Sequence, residues 1–153
     1  MSRLRSHWSV FALLAVAILA FATHSRKVPA DSPTTHNVMI PDEDRFVPFA
    51  ITIHVGDSIR WINTDTDDHS VVSNDAFNTA GHRGVNQTIS GNGGVLVLKF
   101  DHTGVFPFYC RFHSMLDKAN QPIAPGPDGG IQDSSGNYGT PMNGVITVVG
   151  SDN

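Results

Sequence analysis

A single cysteine, Cys110, stands in a chain of 153 residues. No internal disulfide can form, so the fold must rest on a packed core or a bound group. Charge is also scarce. Only 16% of residues are Asp, Glu, Lys or Arg, the formal charge is −4, and no long run of one sign occurs. Such a chain offers no basic footprint for nucleic acid or an acidic membrane surface. No C-x-x-C pair, G-x-S-x-G elbow, Walker loop or H-E-x-x-H helix is present, so the commonest enzyme signatures are missing. No segment shows helical periodicity with caps at both ends. The one sustained apolar run, Val10 to Phe21, is about a dozen residues, short of the roughly 20 a spanning helix needs.

That run is nonetheless informative. Arg3 and Arg5 precede it, and Ala20-Phe21-Ala22 follows as a small-x-small cleavage pattern, so residues 1–22 read as an export signal. Arg26 and Lys27 keep a second reading open, a retained N-terminal membrane anchor. Residues 23–36, with Pro29 and Pro33, read as a flexible leader, and 37–150 as one domain. The expected location is periplasmic or extracellular, with membrane attachment only if the segment is kept. A free thiol outside the cytoplasm is open to oxidation. Cys110 is therefore either buried and inert or held by something.

Fourteen glycines and nine prolines point to many turns, hence to β structure. Val38 and Ile40 alternate before a break at Pro41. Ile51, Ile53 and Val55 then lead into a Gly56-Asp57 turn, and Ile59 and Trp61 resume the two-residue period. Short strands are also expected at 69–73, 85–89, 95–100, 105–110 and 144–149. Residues 114–141 are rich in Gly, Pro, Asn, Asp and Ser, a length of loop that usually marks function or disorder. The fold class read from this pattern is all-β, an antiparallel two-sheet sandwich.

A soft thiolate, two imidazoles and a thioether suit copper that cycles between Cu(I) and Cu(II). Cys110 and His113 flank a turn just past a strand end, so both can face one pocket. His69, in "WINTDTDDHSV", sits at an earlier strand end, and Met142 precedes the last strand. The aspartates before His69 do not form a calcium loop, since Asp68 occupies its glycine position and Asn74 its final glutamate position. Asp65, Asp67 and Asp68 read instead as a solvated acidic rim.

These stretches together resemble the cupredoxins, the plastocyanin/azurin-like blue copper proteins. The resemblance is carried by Trp61, Asn63, Asp65, His69 and Val71; by Tyr109, Cys110 and His113; by Met142, Gly144, Ile146 and Val148; and by the Val55-Gly56-Asp57 turn. It implies a Greek-key sandwich holding one type 1 copper ion. His69, Cys110 and His113 would bind the metal in a near-trigonal arrangement, with Met142 weakly axial. It also implies that the Ser70 amide bonds the sulfur, and that His113 lies near the surface in a hydrophobic patch as the electron's port.

Two departures stand out. The family's axial methionine usually follows the histidine within a few residues, whereas Met142 comes far later, so 114–141 reads as an insertion in the ligand loop. Met115 is the alternative axial ligand, but it has little backbone with which to turn back. Many members also carry proline before the second histidine, where this chain has Phe112; its N–H is free to donate to the Cys110 sulfur.

The expected function is an exported carrier of single electrons that meets redox protein donors and acceptors transiently, through a small interface. It is not read as an enzyme: one domain with one copper leaves no place for a small-molecule substrate. The alternative is a copper module for delivery or storage without redox turnover. His36, His54, His82 and His102 read as surface or strand-edge residues, with His82 in a loop that can pass near the site. Trp61, Phe100, Phe106 and Phe108 read as core.

Overall fold

The computed structural model describes residues 32–73 and 85–150. The proposed signal, most of the leader and His82 lie outside the described residues. Among the described residues twelve strands follow one another: β1 (Thr35–Ile40), β2 (Ala50–His54), β3 (Ser58–Asn63), β4 (His69–Val72), β5 (Asn86–Ile89), β6 (Val95–Lys99), β7 (Gly104–Tyr109), β8 (Met115–Leu116), β9 (Pro122–Ala124), β10 (Ile131–Gln132), β11 (Tyr138–Thr140) and β12 (Asn143–Val149). β1 therefore starts at Thr35, two residues before the expected domain boundary. No helix occurs among the described residues.

Two sheets face each other, one ordered β1-β3-β6 and the other β2-β12-β7-β4-β5. The period-2 pattern puts Ile59, Trp61 and Asn63 of β3 and Gly144, Ile146 and Val148 of β12 on the inward faces. Between the sheets Trp61 meets Phe108 edge-on at 5.6 Å, Phe46 meets Phe108 at 4.8 Å, and Phe100 meets Phe106 at 5.2 Å. Full burial of each large apolar side chain contributes about 1.5–3 kcal/mol.

The sandwich is all-β as read, but its pairing is not wholly antiparallel. β1 pairs parallel with β3, and β2 parallel with β12. The chain crosses between sheets after β1 and again after β2, which supplies the crossover that parallel pairing demands. At the β2–β3 turn Gly56 adopts φ +98°, a conformation that favours glycine. Asp57 beside it accepts from the Thr34 amide at 2.7 Å and the His54 amide at 3.0 Å, and its other partner is the His36 ring at 2.9 Å.

Residues 114–141 are not structureless. They form two small hairpins, β8–β9 and β10–β11. Asp117 and Asp133 nucleate them: each Oδ1 accepts two amides from its own turn, Ala119 and Gln121 in the first, Ser135 and Asn137 in the second. The segment is pressed onto the chain that carries His113. A Cβ added at Gly126 would stand 2.3 Å from the Phe112 carbonyl oxygen and 2.5 Å from the Ser114 nitrogen, so only glycine permits the approach.

Candidate metal centre

One end of the five-stranded sheet gathers the chemistry. Asn63, buried at the end of β3, organises the loop that leads to His69. Its Nδ2 donates to the Asp67 carbonyl at 2.8 Å and to the Ile89 carbonyl at 3.0 Å, while its Oδ1 accepts the Asp65 amide at 3.1 Å. Asp65 is thereby turned inward. It is 7% exposed rather than part of a solvated rim, and its Oδ2 lies 3.1 Å from His69 Nε2. Asp67 and Asp68 remain exposed as expected.

Cys110 follows β7 directly. Its amide donates to the Met142 carbonyl at 2.9 Å, and the Met142 amide donates to the His113 carbonyl at 2.9 Å. These bonds fix the turn between Cys110 and His113 against the start of β12, and Ser114 Oγ adds a donation to the Met142 carbonyl at 2.9 Å. Met142 is fully buried in the same apolar cluster as Cys110, whereas Met115 is 54% exposed.

The Cys110 sulfur lies 3.9 Å from His69 Nδ1 and 3.4 Å from His113 Nδ1. One donor atom from each of the three residues falls within 4.8 Å of the other two, and all three residues are buried. A single ion bound at about 2.3 Å to sulfur and about 2.0 Å to imidazole nitrogen can touch donors up to about 4.3 Å apart. Both sulfur–nitrogen separations are shorter than this, so the donor set fits one metal ion, and its thiolate–imidazole chemistry suits copper.

Each imidazole has its second nitrogen on a carboxylate. His69 Nε2 faces Asp65, and His113 Nε2 lies 3.3 Å from Asp44 Oδ1. Carboxylates so placed fix the rings with Nδ1 toward the sulfur. Asp44 was not legible in "PDEDRF", where nothing separates it from Asp42 and Glu43.

The sulfur is also well supplied with donors. The Ser70 amide reaches it at 3.3 Å, as the family resemblance implied, and the Ser70 hydroxyl at 3.6 Å. That hydroxyl in turn accepts the Arg111 amide at 3.0 Å. Burial alone would push the Cys110 thiol up, but hydrogen bonds from His113, His69, Ser70 and the Phe112 amide outweigh it and pull the thiol down to about 5. The same pairing raises both histidines above their ordinary range, although burial opposes it. Asp44 is held above the usual carboxylate range, chiefly by burial. With no metal bound, the two rings and the Ser70 amide thus favour the thiolate form of Cys110.

One expectation needs correction. His113 does not lie open in a hydrophobic patch: it is 3% exposed. Asp44 covers its Nε2 edge, and the pocket that reaches it, about 360 Å³, is lined by Asp67, Asp68, Phe112 and Asp128 besides His113. The Arg111 guanidinium lies over the Phe112 ring at 4.6 Å, so the rim is mostly charged.

The sequence profile of copper binding proteins of the plastocyanin/azurin family matches residues 35–119, more than half of the chain. No curated protein sequence gives a match. Among solved structures, a purple cupredoxin from Nitrosopumilus maritimus is similar at 19% identity with a TM-score of 0.47, covering 74% of this chain and 98% of that one. Amicyanin from Paracoccus versutus is similar at 16% identity with a TM-score of 0.44, covering 80% and 86%. A mutant of amicyanin in its reduced state gives 18% identity and a TM-score of 0.48, covering 75% and 82%. By its sequence match, the chain belongs to the plastocyanin/azurin family of copper binding proteins.

Proposed function

We propose that this chain is an exported type 1 copper protein that carries single electrons between redox proteins, with His69, Cys110 and His113 as its strong ligands and Met142 as the weak axial one. The observation that carries the reading is a buried cysteine sulfur facing two Nδ1 atoms whose rings are anchored from behind. When bound, copper supplies the one-electron Cu(I)/Cu(II) couple.

The rest is the work of the chain. Two hydrogen-bonded strand ends and two carboxylates hold the donors in place, so the ligand set has little freedom to rearrange. Water is kept from the sulfur because Cys110 is fully buried, in one apolar cluster with Met142, Phe108 and Val71. Met142 is favoured over Met115 because it is buried beside Cys110, whereas Met115 is more than half exposed. The acidic rim of Asp67, Asp68 and Asp128 suits partners that present basic side chains, met briefly through a small interface. Residues 114–141 act as an insertion that shields the centre and shapes partner choice. The N-terminal 22 residues direct export, and membrane attachment follows only if they are retained.

The test is electrochemical. A reversible one-electron wave with fast exchange to small redox proteins supports the carrier. Tight Cu(I) retention, no reversible wave and transfer of the ion to an acceptor would instead identify a delivery or storage module.

A further inference from the structure

The loop between β1 and β2 delivers a buried carboxylate to the edge of His113 that the sequence motifs leave open. Met39 and Val47 close its base with reciprocal amide–carbonyl bonds of 2.7 and 2.8 Å. Phe46 anchors it, buried edge-on to Phe108. Between these fixed points Glu43 and Asp44 both take left-handed conformations, φ 79° and 53°, which non-glycine residues seldom adopt in succession. The result is an Asp44 side chain only 10% exposed, with Oδ1 3.3 Å from His113 Nε2. A carboxylate is costly to bury without a partner, and this ring is the partner it has. Asp44 also falls within 4.8 Å of Asp65 and His69, so both carboxylates back the same pair of rings.

Resting on the copper reading above, we propose that Asp44 is a positioning residue for the metal centre, holding His113 by Nε2 and biasing the site toward the more positive metal state. A ring held on its outer edge cannot turn out of the site when the metal's charge falls. A negative charge behind the ring also makes Nδ1 a stronger donor, which favours Cu(II) over Cu(I).

The experiment compares Asp44→Asn with Asp42→Asn in the copper-loaded protein. Asparagine keeps the size of the side chain and tolerates the left-handed backbone, so the first variant removes only the charge. Asp42 is exposed, and its variant controls for net charge. Asp44→Asn is expected to lower the preference for Cu(II) over Cu(I) by about 10- to 100-fold, a rise in reduction potential of about 59 to 118 mV. Asp42→Asn is expected to leave the potential unchanged. An unchanged potential in Asp44→Asn, or equal shifts in both variants, would overturn the proposal.

A second measurement needs no variant. In the Cu(I)-loaded wild type, the His113 Nε2 proton should give a nuclear magnetic resonance signal that exchanges slowly with water. Fast exchange at that proton would show the edge to be open and would refute the assignment even if the variant failed to fold. Failure of the copper reading is distinguishable: the wild type would then show neither a thiolate-to-copper absorption nor a reversible potential.

Discussion

The Ser70 amide nitrogen lies 3.3 Å from the Cys110 sulfur, joining the strand that begins with His69 to the turn that ends with His113. The Phe112 amide, two residues past the sulfur, also favours the thiolate, less than the rings and Ser70 do. A hydrogen bond to sulfur stabilises the electron-rich thiolate and so tunes any metal it holds. Phe112→Pro deletes one such donor. The reduction potential should shift on the order of 60 mV, the equivalent of a tenfold change for one electron. Ser70→Ala keeps its amide; it loses the longer hydroxyl contact to sulfur and the acceptor of the Arg111 amide, so its direct effect on the sulfur should be smaller. A Phe112→Pro protein with the wild-type potential would show that this amide does not act on the sulfur.

Met142 and Met115 differ most in burial, fully enclosed against 54% exposed. Met142→Leu is near in volume and should cost less than about 1.5 kcal/mol of stability. It should nevertheless alter the visible spectrum and raise the potential, because a thioether is lost beside the metal. Met115→Leu should change neither. The reverse pattern in voltammetry would transfer the axial role to Met115.

Gly126 couples the long segment to the ligand turn. Gly126→Ala places a methyl group against the Phe112 carbonyl, at a cost of about 1–3 kcal/mol if the backbone must yield. Thermal unfolding should shift downward and the copper absorption should move with it. A variant with an unaltered spectrum would show that the segment and the metal site are mechanically independent.

Asp57 governs acid stability away from the metal. Burial opposes its ionisation, but the Thr34 amide, the His36 ring and the His54 amide hold its carboxyl below the usual carboxylate range. A carboxyl lowered in the folded state contributes stability that is present above its unfolded value and is lost as pH falls through the folded one. Asp57→Asn should therefore cost about 1.5–3 kcal/mol at neutral pH, as for hydrogen bonds to a charged group. The gap to wild type should close below about pH 4, where the unfolded chain takes up the proton. Denaturant melts at neutral and acid pH measure this; a gap that stayed constant would assign the effect to packing alone.

The alternating runs around Trp61 and Ile146 made the sandwich legible, and the strand-end positions of His69, Cys110 and His113, within motifs that resemble the cupredoxins, pointed to their meeting. What the sequence hid was three-dimensional in origin. Asp65 looked solvated among its acidic neighbours because its burial depends on Asn63 folding the loop inward. Asp44 was invisible because two left-handed residues aim it at a histidine far along the chain. His113 was expected near the surface in a hydrophobic patch, and that same loop is what covers its outer edge. The parallel pairing of β1 with β3 escaped notice because alternation gives the face of a strand but not its partner's direction.

The most direct test is the visible absorption and electron paramagnetic resonance spectrum of the Cu(II)-loaded domain, set beside that of Cys110→Ser. A strong thiolate-to-copper charge-transfer band in the wild type that vanishes with the sulfur is the expected result. A colourless wild type, or a band that survives in Cys110→Ser, would contradict a copper centre built on Cys110.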